Sequence, residues 1–128
     1  MVTKTTSGVK VSVNVKFCPK TSFLEENSFI YKYTIFIENN TEQKVQLIKR
    51  NWHIFDSLNE PYEVEGFGVI GLQPILDIKQ KHQYSSFCEI KSDIGYMEGY
   101  YEFLNLNTNK RFKVIIPRFP LFYPWKAN

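Results

Sequence analysis

The stretch Val9-Lys-Val-Ser-Val-Asn-Val-Lys-Phe17 alternates strictly between apolar and polar side chains. Successive side chains of a β-strand point to opposite faces, so this period-2 pattern puts the valines and Phe17 on one face and the polar residues on the other. The stretch therefore predicts a strand with one face on a hydrophobic core and the other face in water.

Outward from this stretch, further segments are rich in aromatic and β-branched residues and are separated by turn residues. They are residues 29–37, 45–55, 62–65, 82–90, 99–106 and 111–116. The turn residues Glu38-Asn-Asn-Thr-Glu42 separate the first two segments, which we therefore expect to pair as a hairpin. A second hairpin is expected where an asparagine-rich loop, residues 105–110, joins the last two.

Short strands at this spacing predict an antiparallel two-sheet sandwich of about seven strands, whose inner faces take the alternate apolar residues. The chain has 128 residues, 43% of them hydrophobic and 16% aromatic, which is enough for one substantial core and too little for two. We expect a single domain over residues 1–128, with its core at about 9–121. The proline-rich tail, residues 117–125, should run extended along a sheet edge, because proline cannot donate a hydrogen bond to a central strand.

The charge balance is nearly even, with 16 Lys and Arg against 13 Asp and Glu, and the basic residues are scattered. Nucleic-acid binding normally requires a concentrated cationic surface, so the composition argues against a nucleic-acid partner. No apolar run approaches the roughly 20 residues that cross a bilayer, and the first residues lack the apolar core of a secretion signal. We therefore expect a cytoplasmic protein without a membrane span, in which a disulfide between Cys18 and Cys88 is disfavoured.

The spacing Gly66-x-Gly68-x-x-Gly71 matches the dinucleotide-binding fingerprint. That fingerprint binds pyrophosphate because its glycines lead from a strand into the N-terminus of a helix. Here Gln73-Pro74 follows almost at once and leaves too little chain for such a helix. We expect the glycines to serve a bulge or a sheet corner, and the alternative is an anion-binding loop built from backbone N–H groups.

The sequence shows no organised set of catalytic or metal-ligating residues. The residue types that could bind a metal have neither the close His or Cys spacing of a zinc site nor an i, i+4 arrangement. They are His53, His82, Cys88, Asp56 and Asp93. Ser85, Ser86 and Cys88 lie near His82, but neighbours on one strand alternate faces and cannot form a catalytic relay by themselves, so catalysis would need partners from other parts of the fold. We predict no enzyme activity, no cofactor and no metal site.

The segment Arg50-x-Trp52-x-Ile54-x-Asp56 puts a cation, a large aromatic, an apolar side chain and an acid on one strand face. The favoured interpretation packs Trp52 and Ile54 in the core, leaves Arg50 and Asp56 at its rim, and turns the intervening His53 to solvent. The functional alternative makes Arg50 and Trp52 anchors for a partner protein, because these two residue types dominate binding hot spots.

Several blocks of sequence together carry a family resemblance. They are Arg50-Asn-Trp-His-Ile-Phe-Asp56, Val64-Glu-Gly-Phe-Gly-Val-Ile-Gly-Leu-Gln-Pro74, Tyr84-Ser-Ser-Phe-Cys88, Gly95-Tyr-Met-Glu-Gly-Tyr100 and Ile116-Pro-Arg-Phe119. In this order and spacing they resemble the ApaG family, over about residues 9–121. The chain departs from the family at Lys79-Gln-Lys81, where a Pro-Gly-Glu turn is usual, and at Ser86-Phe-Cys88, where Ser-Gly-Cys is usual. These departures weaken any anion-binding role of those turns.

The resemblance implies an immunoglobulin-like or fibronectin type III-like sandwich, in agreement with the strand pattern. It also implies an association with cobalt and magnesium efflux or tolerance in bacteria, and protein-binding roles in eukaryotes. We therefore expect a non-enzymatic binding module whose partner is a protein, with a homodimer formed through unpaired strand edges as a further alternative. The rival function is a pyrophosphate, nucleotide or metal–phosphate binding protein or enzyme that uses Gly66, Gly68 and Gly71.

Overall fold

The computed structural model describes residues 1–124, which contain nine strands and a single turn of 3-10 helix. In chain order these are β1 (Val2–Thr6), β2 (Val9–Phe17), the 3-10 turn (Leu24–Glu26), β3 (Phe29–Asn39), β4 (Val45–Asp56), β5 (Tyr62–Phe67), β6 (Ile75–Leu76), β7 (Lys81–Ile90), β8 (Ile94–Asn105) and β9 (Lys110–Phe122). One antiparallel sheet has the order β1-β2-β3-β7, and the other has the order β5-β4-β8-β9 with β6 beside β4. The predicted all-β sandwich is confirmed.

The core lies between the two sheets and is built from the residues whose alternation predicted the strands. Val9, Val11 and Val13 of β2 are buried, as are the inward residues of β3 and β4. The Trp52 ring packs edge-on against Tyr33 and Phe119, with ring centroids 5.3 and 5.9 Å apart. Edge-to-face contacts of this kind add to the free energy gained by burying the rings.

The predicted hairpin between residues 29–37 and 45–55 is wrong. β3 pairs with β2 and β7, whereas β4 pairs with β5, β6 and β8, so the chain crosses from one sheet to the other between them. Asn39 holds this crossing, because its side-chain amide donates to the backbone oxygens of Gln43 at 2.8 Å and Leu76 at 3.1 Å. Turn residues occur both where the chain reverses within one sheet and where it crosses from one sheet to the other. They therefore did not distinguish the two cases, which explains the error.

The proline-rich tail forms an edge strand as far as Phe122, as predicted. β9 is the last strand of its sheet and carries Pro117 and Pro120. Trp125, which also belongs to the predicted extended tail, lies outside the described residues. The described residues include no helix long and apolar enough to cross a membrane.

The two lateral sides of the sandwich differ. On one side β1 and β9 meet, and the Ile115 N–H donates to the Thr6 hydroxyl at 3.2 Å. On the other side β7 and β5 are the last strands of their respective sheets. A cleft opens between them, and the candidate site lies there.

Candidate functional site

The three glycines lie on a β-hairpin and not at the start of a helix. Gly66 belongs to β5, and beyond it Val69 and Leu72 exchange both backbone hydrogen bonds, at 2.7 and 3.0 Å. The two residues between them, Ile70 and Gly71, have φ angles of 48° and 74°. Positive φ at both central positions is the requirement of a type I′ hairpin turn. We call residues 66–72 the glycine hairpin; the expected bulge or sheet corner is a tight hairpin turn in the structure.

Close packing requires glycine at position 68, and glycine at position 66 makes room for the Arg50 side chain. A Cβ on Gly68, whose φ is +63°, would lie 2.1 Å from the Leu72 carbonyl oxygen. A Cβ on Gly66 would lie 2.8 Å from the guanidinium of Arg50. These distances are shorter than van der Waals contact, so a side chain at Gly66 or Gly68 would displace its neighbour. The motif therefore has a structural explanation that needs no phosphate.

The backbone N–H groups of the glycine hairpin are largely used within the fold. The Gly68 N–H donates to the Ile48 oxygen at 2.8 Å, and the N–H groups of Val69 and Leu72 donate to each other's carbonyl oxygens. An anion-binding loop needs several convergent N–H groups that have no other acceptor. In this conformation those three donors are already satisfied.

Arg50 joins the glycine hairpin to the sheet. Its Nη1 donates to the backbone oxygens of Phe67 at 3.1 Å and Gly68 at 2.9 Å. The β4–β5 register places Arg50 directly opposite Gly66, where the missing side chain makes room for the guanidinium. Two candidate sets that the sequence presented separately, Arg50 and the glycines, are thus in contact.

Trp52 lies two residues along on the same face and is 3% exposed. Trp52 and Ile54 are in the core, as the favoured interpretation predicted. Part of the Trp52 ring lines a cleft of about 240 Å³ between the glycine hairpin and β7. We call this the Arg50 cleft, and its other walls include Arg50, Tyr33, Tyr84, Ser86, Phe67 and Ile70.

The tyrosines beside the Arg50 cleft are neutral hydrogen-bonding groups. The hydroxyls of Tyr84 and Tyr101 are 2.5 Å apart and buried. Burial raises the pKa of Tyr84 and of Tyr101, and it also raises the pKa of Tyr33. The three phenols therefore stay protonated at neutral pH. The cleft offers one cation, neutral hydroxyls and apolar walls, which can bind a polar or apolar group but provide no activated nucleophile.

The outer surface of the glycine hairpin is apolar. Large hydrophobic side chains within residues 67–75 are half or more exposed, and we call them the hairpin patch. They are Phe67 at 71%, Ile70 at 61%, Leu72 at 58% and Ile75 at 50% exposure. Exposed apolar surface concentrated in one place marks an interaction site in many proteins. We did not predict this patch from the sequence, although large apolar residues in a glycine-rich turn are a usable signal.

Asp56, expected at the rim of the core, is 2% exposed, so that expectation is wrong. Its carboxylate accepts hydrogen bonds from the Ser92 hydroxyl at 2.5 Å, the Lys91 N–H at 2.6 Å and the Asn59 amide at 3.1 Å. These donors replace the water lost on burial. Asp56 thus ties the turn after β4 to the turn after β7 and has a structural role.

The remaining catalytic and metal candidates are dispersed. His53 is exposed on the outer face, with its Nε2 3.9 Å from a Glu63 carboxylate oxygen, whereas His82 lies in β7. Among residues 1–124, no three His, Cys, Asp or Glu side chains are grouped so that they could hold a metal ion. Cys18 and Cys88 are both free thiols, and burial raises the pKa of Cys88 to about 12, which makes it a poor nucleophile at neutral pH.

Comparison with known proteins finds the same family by sequence and by structure. The ApaG domain model matches residues 19–105. Protein ApaG of Anaeromyxobacter dehalogenans is 38% identical over the full length of both chains, and that of Pseudomonas syringae pv. tomato is 39% identical over 91% of each. Protein ApaG of Brucella abortus is 36% identical over 97% of this chain and 95% of its own.

Two solved structures have the same fold over nearly their whole length. The crystal structure of an ApaA protein from Bordetella pertussis has a TM-score of 0.87 and 33% identity, and the match covers 92% of this chain and 95% of that one. A second X-ray structure, from a structural genomics programme, has a TM-score of 0.85 and 30% identity, covering 93% of this chain and 89% of that one. The similarity therefore extends across both sheets.

Proposed function

The chain belongs to the ApaG family, and from that premise we propose that it is a non-enzymatic binding module whose partner is another protein. The observation that carries the proposal is the hairpin patch, where large hydrophobic side chains of the glycine hairpin and of β6 are exposed to solvent. Within the chain Phe67 makes a cation–π contact with Lys49 at 5.3 Å, but most of the patch remains in solvent, and a partner surface that covers it would gain the free energy of burying it.

The Arg50 cleft supplies the polar half of the proposed site. Two carbonyl oxygens fix Arg50 Nη1, which leaves other guanidinium N–H groups without an acceptor among the described residues. A guanidinium already held in place loses little conformational entropy on binding. We expect a partner to place a carbonyl or carboxylate oxygen against Arg50 and apolar side chains against the hairpin patch.

The chemistry of the site supports binding rather than turnover. The phenols beside Arg50 stay protonated, and the buried Cys88 thiol has a raised pKa. The serines of β7 alternate faces, so Ser85 bonds to Thr34 while Ser86 lies at the Arg50 cleft. We propose further that any association with cobalt and magnesium efflux or tolerance acts through the partner, with the module in the cytoplasm.

The rival function is anion binding at the same place, and Arg50 beside the glycine hairpin is the observation in its favour. Against it stands the use of the Gly68, Val69 and Leu72 N–H groups within the fold. A phosphate would therefore find one guanidinium and few backbone donors. This is less than a pyrophosphate site normally provides.

Calorimetry and activity measurements separate the two functions. Purified protein is titrated with nucleotides, with pyrophosphate and with cobalt or magnesium, and is separately incubated with phosphate esters and dinucleotides. The binding-module proposal predicts no heat of binding and no turnover. Heat or turnover that is lost in both Gly68→Val and Arg50→Gln, but kept in Lys49→Gln, would establish the rival and contradict the proposal.

A further inference from the structure

Five of the described strands lie at sheet edges, and β7 differs from the other four, of which β6 has only 2 residues. Natural proteins protect an edge strand by making it short, by adding proline or charge, or by covering it. β1 has 5 residues and lies against β9, β9 contains Pro117 and Pro120, and β5 has 6 residues, among them Glu63 and Glu65. β7 has 10 residues and no proline, and its register with β3 is unbroken.

The free backbone groups of β7 can be assigned from its pairing. The Ile30 oxygen accepts from the Cys18 N–H on the β2 side, so the odd-numbered residues of β3 face β7. Their partners in β7 are even-numbered, as in the pairs Tyr31 with Cys88 and Ile37 with His82. The N–H and C=O groups that point away from β3 therefore belong to Lys81, Gln83, Ser85, Phe87 and Glu89, and among them the Glu89 oxygen already accepts a 3.9 Å hydrogen bond from the Cys88 thiol.

The side chains of these residues would complement those of a second, antiparallel copy of β7 centred on Ser85. Lys81 and Glu89 carry opposite charges and lie four residues on either side of Ser85, and the residues from 82 to 88 carry no Asp, Glu, Lys or Arg. Phe87 is 62% exposed. In an antiparallel pair of identical strands with Ser85 opposite Ser85, each Lys81 faces a Glu89 of the other strand, and each Phe87 faces a Gln83.

We propose that β7 is the dimerisation edge of this protein, and that two copies pair antiparallel through β7 about a two-fold axis at Ser85. The two four-stranded sheets then form one continuous sheet. All the outward backbone groups of β7 are satisfied, because every odd-numbered pair exchanges two hydrogen bonds. Within each copy Glu89 already pairs with Lys91 at 3.2 Å and accepts a hydrogen bond from Ser28, and Lys81 of the second copy would add a further positive charge beside it. A slip by two residues would lose that added attraction, so the charges favour this register.

The hairpin patch belongs to the other sheet, but its residues Phe67 and Ile70 line the Arg50 cleft opposite Tyr84 and Ser86 of β7. The dimer proposal rests on β7 alone and does not depend on the proposed protein-binding function. An added strand would run beside Tyr84 and Ser86 at the border of the Arg50 cleft. Dimerisation would thus place a strand of the second copy at the open side of the sandwich, next to the Arg50 cleft.

Sedimentation of the full chain over a wide concentration range tests the proposal, with charge-reversal variants at the two ends of β7. Lys81→Glu and Glu89→Lys should each weaken dimerisation by about tenfold or more, because each places like charges opposite one another. The double variant Lys81→Glu/Glu89→Lys should restore it. Lys110→Glu, an exposed lysine at the start of β9, is the matched control and should dimerise like the wild type.

Hydrogen exchange supplies a readout that does not depend on any variant. The amides of Gln83, Ser85 and Phe87 should exchange more slowly as the protein concentration rises, while those of Tyr84 and Ser86 should be protected at every concentration. A protein that stays monomeric throughout, a double variant that does not recover, or exchange at Ser85 that is independent of concentration would each overturn the proposal.

Discussion

Arg50 Nη1 lies 2.9 Å from the backbone oxygen of Gly68, and this contact fixes the glycine hairpin to the centre of its sheet. The guanidinium occupies the space that a side chain at Gly66 would fill. Arg50 therefore helps to position the hairpin, together with the backbone bond from Gly68 to Ile48, and with it the apolar residues that the hairpin exposes. Stability and binding are linked at this one side chain.

Replacing Arg50 by Lys should lower the free energy of unfolding by about 1 kcal/mol, because an ammonium cannot reproduce two hydrogen bonds from a planar guanidinium. Urea unfolding measures this loss. Lys49→Ala is the control, since the partly exposed Lys49 makes a 3.6 Å ion pair with Glu65 and a 5.3 Å cation–π contact with Phe67, which should contribute little. Equal stability of Arg50→Lys and Lys49→Ala would contradict the role assigned to Arg50.

Replacing Ile70 by Gly should stabilise the fold and weaken partner binding. A β-branched residue at a φ of 48° is strained by roughly 1–2 kcal/mol, and glycine removes most of that strain. We expect a net gain of about 0.5–1 kcal/mol by thermal or urea unfolding. Ile115→Gly, at an exposed position in β9, should show the opposite sign. A loss of stability in Ile70→Gly would mean that Ile70 is not strained in solution.

The hydroxyls of Tyr84 and Tyr101 should be strongly coupled. Tyr84→Phe leaves the fully buried Tyr101 hydroxyl without its partner, at a cost of about 1–3 kcal/mol. Tyr101→Phe should cost a similar amount, and the double variant should cost clearly less than the sum. A double-mutant cycle from urea unfolding measures the coupling. Additive losses would show that the two hydroxyls do not bond.

Asp56 should make stability depend on pH in the acid range. Burial opposes its ionisation, but hydrogen bonds from Ser92, Lys91 and Asn59 outweigh burial and hold the pKa of Asp56 below its usual value. A folded-state pKa below the unfolded one stabilises the fold at neutral pH, and this contribution is lost as the pH falls through the folded-state pKa. Asp56→Asn should therefore cost about 2 kcal/mol near pH 7 and progressively less in acid.

The check on this prediction is urea unfolding of wild type and Asp56→Asn from neutral pH downward. The difference between the two proteins should narrow as the Asp56 carboxylate is protonated. A difference that stays constant through the acid range would show that Asp56 contributes through packing and not through its charge.

β2 and β3 were predictable because each buries one face in the core, which requires apolar residues at alternate positions of the sequence. β1 was missed because Val2-Thr-Lys-Thr-Thr6 is mostly polar, and its pairing comes from β2 rather than from an apolar face of its own. The wrong hairpin between β3 and β4 has a similar origin. Which strand a given strand pairs with depends on the whole sandwich, and local turn residues do not encode it.

The residues that could form the candidate site were predictable from the sequence, but their arrangement in space was not. Arg50 and the glycines meet because Arg50 pairs with Gly66, and a shift of one residue in that register would separate them. Asp56 was placed at the rim because its donors Lys91 and Ser92 are far along the chain. Gly99 of the block Gly95-Tyr-Met-Glu-Gly-Tyr100 is likewise explained by a distant contact, since its Cβ would lie 2.0 Å from the Asn51 oxygen.

The most direct test of the binding-module account is affinity capture from a lysate with matched surface variants, read out by quantitative mass spectrometry. The baits are wild type, the hairpin-patch variant Phe67→Ser/Ile70→Gly and the control Ile115→Ser/Phe122→Ser, which removes exposed apolar residues from the opposite edge of the same sheet. The account predicts a protein that wild type and control enrich equally and that the hairpin-patch variant loses, with all three baits folded. Equal enrichment by all three baits, or no enriched protein with wild type, would contradict it.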